Sequence, residues 1–367
     1  MESGEHVIIG DSSSLPGMPD QSPTATLRVQ NQDLTYGHIV ALAGDYYGVA
    51  SVPICLGATD ADRRRRFMDA LATLVAPSMP TLGPPPDVIL HSVVGLINRE
   101  VEALQPAADK PTPTGGSQIY ADGKGVQNGE ASAATQLMYP ALARMNFDHF
   151  GRHAVATYLA GHRYAIELAV LAAKYKLPSG PTLEDAYIAN AFADHFLTDL
   201  FSAGHLRTPR VELHDASAII ATGDFAAKLM HDEDSWYGIN VVNNVDKGNA
   251  WLLYGDRRIF DSDNRIGAGL ARQAVEASKQ EVFDAFRAGV NPFDAKGFQS
   301  KALALAPDPS RIPANPQHQP LYNHMSGQLT VRKNYNDLRC SQFTTLPASF
   351  SAVSNDYKLP LAPPPSR

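Results

Sequence analysis

Apolar residues along this chain recur mainly at steps of three and four, the period of a helix face. The clearest stripe is Ile188, Phe192, Phe196 and Leu200, which predicts a long helix over 183–203. The same spacing predicts helices over 133–145, 153–175 and 265–289. Upstream, Thr35 is placed to cap a short helix running through Ala43 and ended by Gly44. Further helices are expected over 60–75 and 91–104, then a Pro/Gly-rich loop over 105–130. Residues 1–33, rich in Ser, Pro, Gly and Gln, read as an irregular arm. Past residue 305 the chain turns to Pro, Asn, Ser and Thr, with short β-like pieces such as 327–333. The expectation is a mainly α protein: a helical domain over 34–305, between that arm and a partly β extension over 306–367 that packs on the core.

Composition narrows the partners. The 367 residues are 44% hydrophobic and 19% charged, a globular profile with ample material for a core. The net charge of -7 argues against a general nucleic-acid or anionic-membrane binder, since both surfaces would repel it. The run Arg63 to Arg66 is bracketed by Asp60, Asp62 and Asp69 and reads as a solvated helix face. Two cysteines, Cys55 and Cys340, are too few for a thiolate zinc cluster, so a metal here must use His, Asp and Glu. Nothing in the sequence decides whether the two pair. No stretch reaches the roughly 20 apolar residues of a membrane span. The first twenty residues lack the charged start and apolar core of a Sec signal, so secretion needs another route; otherwise the chain is expected in the cytoplasm.

Three polar residues interrupt the greasy helix. His195 and Asp199, four apart, project from one side of it. Ser202 and Gly204 break the helix, so that His205 can turn back toward them. Imidazole nitrogen and carboxylate oxygen both suit zinc at about 2.0–2.2 Å, and a carboxylate can bridge two ions. A core histidine bonded to Asp199 would leave the same pattern.

H-x3-D-x5-H, on a helix of a mainly helical protein, resembles the zinc-dependent phospholipases C and the related fungal single-strand nucleases. "DHFGRHAVATYLAGHRYAIELA" adds a His-Phe pair leading into a helix, as in those phospholipases. "LTYGHIVALAGDYYG", "DHFLTDLFSAGHLRTPR" and "MHDEDSWYG" look like a bacterial branch, zinc metallophospholipases C that prefer phosphatidylcholine. The likeness spans about 34 to 290, with the strict motif confined to 195–205. It implies two or three zinc ions held by His149, His195, Asp199, His205 and His231. It further implies hydrolysis of a phospholipid at a membrane surface by metal-activated water, releasing diacylglycerol and phosphocholine, with a part in lipid degradation and virulence.

The chain departs from that pattern in two places. Trinuclear members use the amino group of an N-terminal Trp, whereas this chain starts with Met1, so that position is filled otherwise or left empty. Asp45 is the candidate for the early aspartate, as ligand or as the general base that orients water. The family's last His-x3-Glu pair is absent. Asp232, Glu233 and Asp234 are all available to join His231, with Asp234 taken forward. Tyr46, Tyr47 and Trp236 are candidate contacts for a choline cation, though packing explains them equally. His153 and His162 read as supporting residues and Arg207 as a surface arginine; His38, His214, His318 and His324 carry no motif. Two rival readings stand beside the lipase: a zinc nuclease or phosphoesterase on the same scaffold, and a non-catalytic domain with structural zinc. The nuclease would need a stacking pocket and a basic track, and no track is visible.

Overall fold

The structure, a computed structural model, describes residues 1–77, 85–121, 139–175, 179–216, 220–245, 249–325, 327–346, 353 and 356–359. It is mainly helical, with small antiparallel sheets. In chain order the elements are α1 (Ser3–Gly10), β1 (Thr26–Val29), β2 (Gln32–Thr35), α2 (Tyr36–Leu42), α3 (Asp60–Val75), α4 (Pro86–Asp109), α5 (Gly115–Ala121) and α6 (Tyr139–Arg144). Then come α7 (Gly151–Lys174), α8 (Leu183–Asp199), α9 (Ala203–Leu206), α10 (Arg210–Asp215), α11 (Ile220–Tyr237), β3 (Ile239–Val241) and β4 (Trp251–Leu253). The chain closes with α12 (Arg265–Ala288), α13 (Lys301–Leu305), β5 (Tyr322–Met325), β6 (Gln328–Arg332) and β7 (Phe343–Thr345).

Local chemistry sets the helix starts. The side chains of Thr35, Thr59 and Thr182 each accept from the backbone N–H three residues on, so α2, α3 and α8 begin where a cap satisfies their free donors. α8 is the axis of the molecule. Every residue from Ala186 to Asp199 is buried, because α7, α2, α12 and α1 surround it.

The expectation of an irregular arm over 1–33 is corrected. All eight residues of α1 are buried against α2, α4 and α12, and β1 and β2 form a hairpin whose Leu27, Val29 and Leu34 join the main core. Small residues make this possible: a Cβ on Gly10 would lie 2.5 Å from the Cα of Gly37. At the far end of α1 the buried Lys279 ammonium donates to Gly10 O and Ser13 O. The loop expected over 105–130 instead begins as the last turn of α4 and continues into α5. Its remainder, and the first part of the helix expected over 133–145, lie outside the described residues. Cys55 and Cys340 are both free thiols.

The C-terminal extension packs through a second, smaller apolar cluster. Leu321, Tyr322, Val331 and Val353 meet Leu213, Ala226, Ala227 and Met230 of α10 and α11. No helix among the described residues is long and apolar enough to cross a membrane.

Close helix packing yields a stability test. A Cβ on Gly161 would lie 2.2 Å from Phe67 Cε2 and 2.7 Å from Ala193 Cβ, whereas nothing lies within 4 Å of one on Gly95. Gly161→Val should therefore destabilise by about 2–3 kcal/mol through overpacking. Gly95→Ala should be neutral or stabilising by about 0.5–1 kcal/mol. Urea denaturation of both variants checks the pair, and equal midpoints would contradict this packing.

Candidate metal centre

Asp199 closes α8, and its buried carboxylate is where the neighbouring elements converge. Oδ1 lies 2.9 Å from the Met1 amino nitrogen, 3.2 Å from His205 Nδ1 and 3.6 Å from His6 Nε2. Oδ2 lies 2.8 Å from His149 Nδ1 and 3.4 Å from His195 Nε2. Burial alone would raise this acid, but the amine and imidazoles hold it well below the usual carboxylate range. A second carboxylate faces it. Asp256 Oδ1 lies 3.1 Å from the Met1 amine and Oδ2 3.3 Å from His231 Nε2, while Ser202 Oγ donates to Oδ1 at 2.6 Å.

The donors fall into overlapping groups whose ligand atoms all lie within 4.8 Å of one another. These are His6–His195–Asp199, Asp45–His149–His195, His149–Asp199–His205 and His205–His231–Asp256. Three of the imidazoles are oriented from behind. His195 Nδ1 donates to Val40 O at 2.9 Å, and His231 Nδ1 is 2.9 Å from Asp232 Oδ1. His6 Nδ1 is 2.8 Å from Thr198 Oγ1, whose own hydrogen goes to the carbonyl of Asp194 or His195. Each ring therefore turns Nε2 toward the carboxylates, as metal-binding histidines do when a neighbour fixes the outer nitrogen. His6 Nε2 is buried with no hydrogen-bond partner. Converging nitrogen and oxygen donors, together with a stranded buried nitrogen, fit a divalent cation of the zinc type.

Local structure explains the convergence. Asp148 accepts from the Ile54 and Cys55 N–H groups and from Thr157 Oγ1, which pins the 147–149 turn and so His149. Gly44 has φ +72°, and a Cβ there would lie 2.8 Å from His149 Cε1 and 3.0 Å from His195 Cδ2, leaving no room for another residue. A Cβ on Gly204 would lie 2.4 Å from Ser235 Oγ, so this glycine lets α9 reach α11 and bring His205 beside His231.

Proton affinities are spread widely. Burial raises Asp45 to about 7, with His149 opposing, and burial lowers His195 to about 3 despite Asp199. Burial would lower His231 too, but Asp256 and Asp232 lift it to about 9. The Met1 amine reaches about 12, where the carboxylates outweigh its burial. A cleft of about 640 Å³ opens onto this cluster, lined by Asp45, His149, His205, His231, Asp256 and Trp236 among others.

Asp45, His149, His195, Asp199, His205 and His231 are thus brought together. Asp234 is not: both its oxygens take the Arg207 guanidinium, at 2.7 and 2.9 Å, and the acids beside His231 are Asp232 on Nδ1 and Asp256 on Nε2. Arg207 is correspondingly a largely buried partner rather than a surface arginine. Tyr46 and Tyr47 are buried, Tyr47 lining a separate small cavity behind His149, and Trp236 is the aromatic candidate that borders the cleft. His162 bonds Asn190 and Glu281, and Asp194 bonds Tyr36 and Ser278 away from the cluster. Glu233, Asp234 and His318 also lie close together, but arginines occupy both carboxylates.

Sequence reasoning missed His6, Asp256 and the Met1 amine. The apolar run Val7–Ile8–Ile9 was the signal for a short buried helix around His6. No spacing links Asp256 to His231. No family model, curated protein or solved structure matches the chain.

A cation taking His231 Nε2 must displace the proton that this ring, at about 9, holds at neutral pH. Affinity at the His205–His231–Asp256 group should therefore rise by roughly tenfold per pH unit from pH 6 to 9. Zinc titration followed by calorimetry at several pH values measures the slope; a flat profile would contradict this protonation state.

Proposed function

We propose that the protein is a zinc-dependent phospholipase C, of the zinc-dependent phospholipase C and single-strand nuclease fold, acting on phosphatidylcholine or a similar neutral-headgroup phospholipid. The observation that supports it most is the set of His/Asp groups interlocked through shared His149, His195, Asp199 and His205, several of whose residues line an open cleft. Their residues suit two or three ions, with His6, His149, His195, His205 and His231 as nitrogen donors beside the Asp199 and Asp256 carboxylates.

When bound, zinc supplies Lewis acidity toward a phosphate and lowers the pKa of water. The chain's own residues do the rest. Asp45, with a proton affinity near neutrality, accepts the proton of the attacking water at a carboxylate oxygen. The water oxygen bonds to phosphorus, the bond from phosphorus to the glycerol oxygen breaks, and that oxygen takes up the proton Asp45 accepted from the water, which returns the carboxylate to its starting form. The products are diacylglycerol and the phosphorylated headgroup. Trp236 borders the cleft as the aromatic candidate for a choline cation, with the Arg258 guanidinium 5.0 Å over its ring. Asp199 stays ionised throughout and holds His149 and His205 in place.

The cleft walls favour a neutral or zwitterionic substrate over a polyanion. Arg210, Lys228 and Arg257 line it, but each is ion-paired, with Asp224, Asp232 and Glu2 respectively. Cations neutralised in this way make no track for a nucleic-acid backbone.

Exhaustive chelation should abolish phosphatidylcholine hydrolysis and added zinc should restore it; activity that survives chelation would remove the reading. Asp199→Ala should lower activity by at least about 10³-fold and deplete zinc, since it takes a donor from two of the groups and the carboxylate partner from His149 and His205. His214→Ala, whose ring bonds Asp224, should stay within about twofold of wild type. Parallel assays on phosphatidylcholine vesicles and single-stranded DNA separate the lipase from the nuclease. Faster turnover of DNA would reverse the assignment.

A further inference from the structure

The helix that presents His231 meets the helical body through α9 and the loop after β4, where Gly255 N–H donates to Ser235 O at 2.9 Å, but its apolar face lies elsewhere. Among the described residues, α11 contributes no member to the large apolar cluster; Ala226, Ala227, Leu229 and Met230 belong instead to the smaller one shared with the C-terminal extension. Two ion pairs hold it, one to the extension and one to the chain just past α9, each within two residues of a metal-group histidine.

The first is fully buried. Glu233 accepts from Arg332 Nη1 at 2.9 Å and Nη2 at 2.7 Å, and both side chains are completely inaccessible. Tyr357 OH donates to Glu233 Oε2 at 2.8 Å, and His318 Nε2 lies 3.2 Å from Oε1. Arg332 also donates to the carbonyls of Gln319 and Tyr335, so one guanidinium ties several stretches of the extension to α11. The second strap is Asp234 with Arg207, which lies two residues past His205. The chain from β6 thus runs through Arg332, Glu233 and α11 to His231, and through Asp234 and Arg207 to His205.

We propose that the C-terminal extension is a positioning clamp for the His205–His231–Asp256 group, with Arg332 and Glu233 as its pivot. The clamp backs α11 from the side away from Asp256, whose loop meets the helix directly through Gly255 N–H donating to Ser235 O at 2.9 Å, and so keeps His231 pressed toward that acid. The His6–His195–Asp199 and Asp45–His149–His195 groups rest on α1, α8 and the main core, and do not depend on it. Arg332 is a positioning residue, with no contact to the cleft. The inference rests on the metal reading proposed above.

Removing one partner alone would strand a buried charge, so the test uses Glu233→Leu with Arg332→Met, an apolar exchange that buried pairs commonly tolerate. Zinc content after dialysis, and the visible spectrum of the cobalt-substituted protein, are read beside circular dichroism. The folded double variant should retain one zinc equivalent fewer than wild type, or bind it at least tenfold more weakly, with a changed cobalt spectrum. Arg332→Lys, which keeps the charge but not the fork, should fall between the two. His6→Ala should lose a different equivalent, so that combining it with the double change removes two. If the double variant does not fold, Tyr357→Phe, which removes a single bond to Glu233, should loosen the same equivalent about threefold. A folded double variant, or in its place Tyr357→Phe, with wild-type zinc content and affinity would overturn the clamp alone. Wild-type protein that takes up no zinc would end the metal reading and the clamp with it.

Discussion

A carboxylate buried at the end of α8 governs this structure. Desolvating the Asp199 charge costs several kcal/mol unless positive or hydrogen-bonding groups surround it. The chain answers from four separate segments: α1 brings the Met1 amine and His6, the 147–149 turn brings His149, α8 itself brings His195, and α9 brings His205. Each has to approach within about hydrogen-bonding reach, so the packing of helices far apart in sequence is fixed by one polar point. Asp256 repeats the solution on the other side of the amine and His231.

Such a site requires rigid supports, and they are built from different materials. Backbone groups steer His195 through Val40, and side chains steer His6 through Thr198 and His231 through Asp232. α1 is held at both ends: Glu5 accepts from the Arg257 and Ile259 N–H groups near its start, and Lys279 meets the carbonyls at its finish. Glycines at 44 and 204 admit the rings where a side chain would clash. On the opposite face of α8, Asp194 bonds Tyr36 and Ser278, so a single helix carries a polar network on each side while remaining buried throughout. A second polar hub, Glu233 with Arg332, does for the C-terminal extension what Asp199 does for the helical body.

Much of the fold was legible because its cause is local. The Thr35 cap set the start of α2, α3 spans the expected 60–75, and the stripe from Ile188 to Leu200 set α8. The His195–Asp199 pair was legible because four residues on a helix always face the same way. α1 was not. Its residues are buried on every side, so they show no amphipathic period, and the polar stretch after them dominates the composition. Asp234 misled for a related reason: nearness in sequence to His231 says nothing about Arg207, which takes its oxygens.

The sequence by itself therefore determined the longer amphipathic helices, the Thr35 cap and the one metal-like spacing carried on a single helix, since all of these arise from contacts a few residues apart. That Asp256 stands beside His231 opposite Asp232, that His6 joins the cluster, and that the extension grips α11 were decided only by the tertiary structure. These pairings are long-range: loops and helix crossings bring together donors whose separation along the chain follows no period, and burial then leaves them no partner but each other.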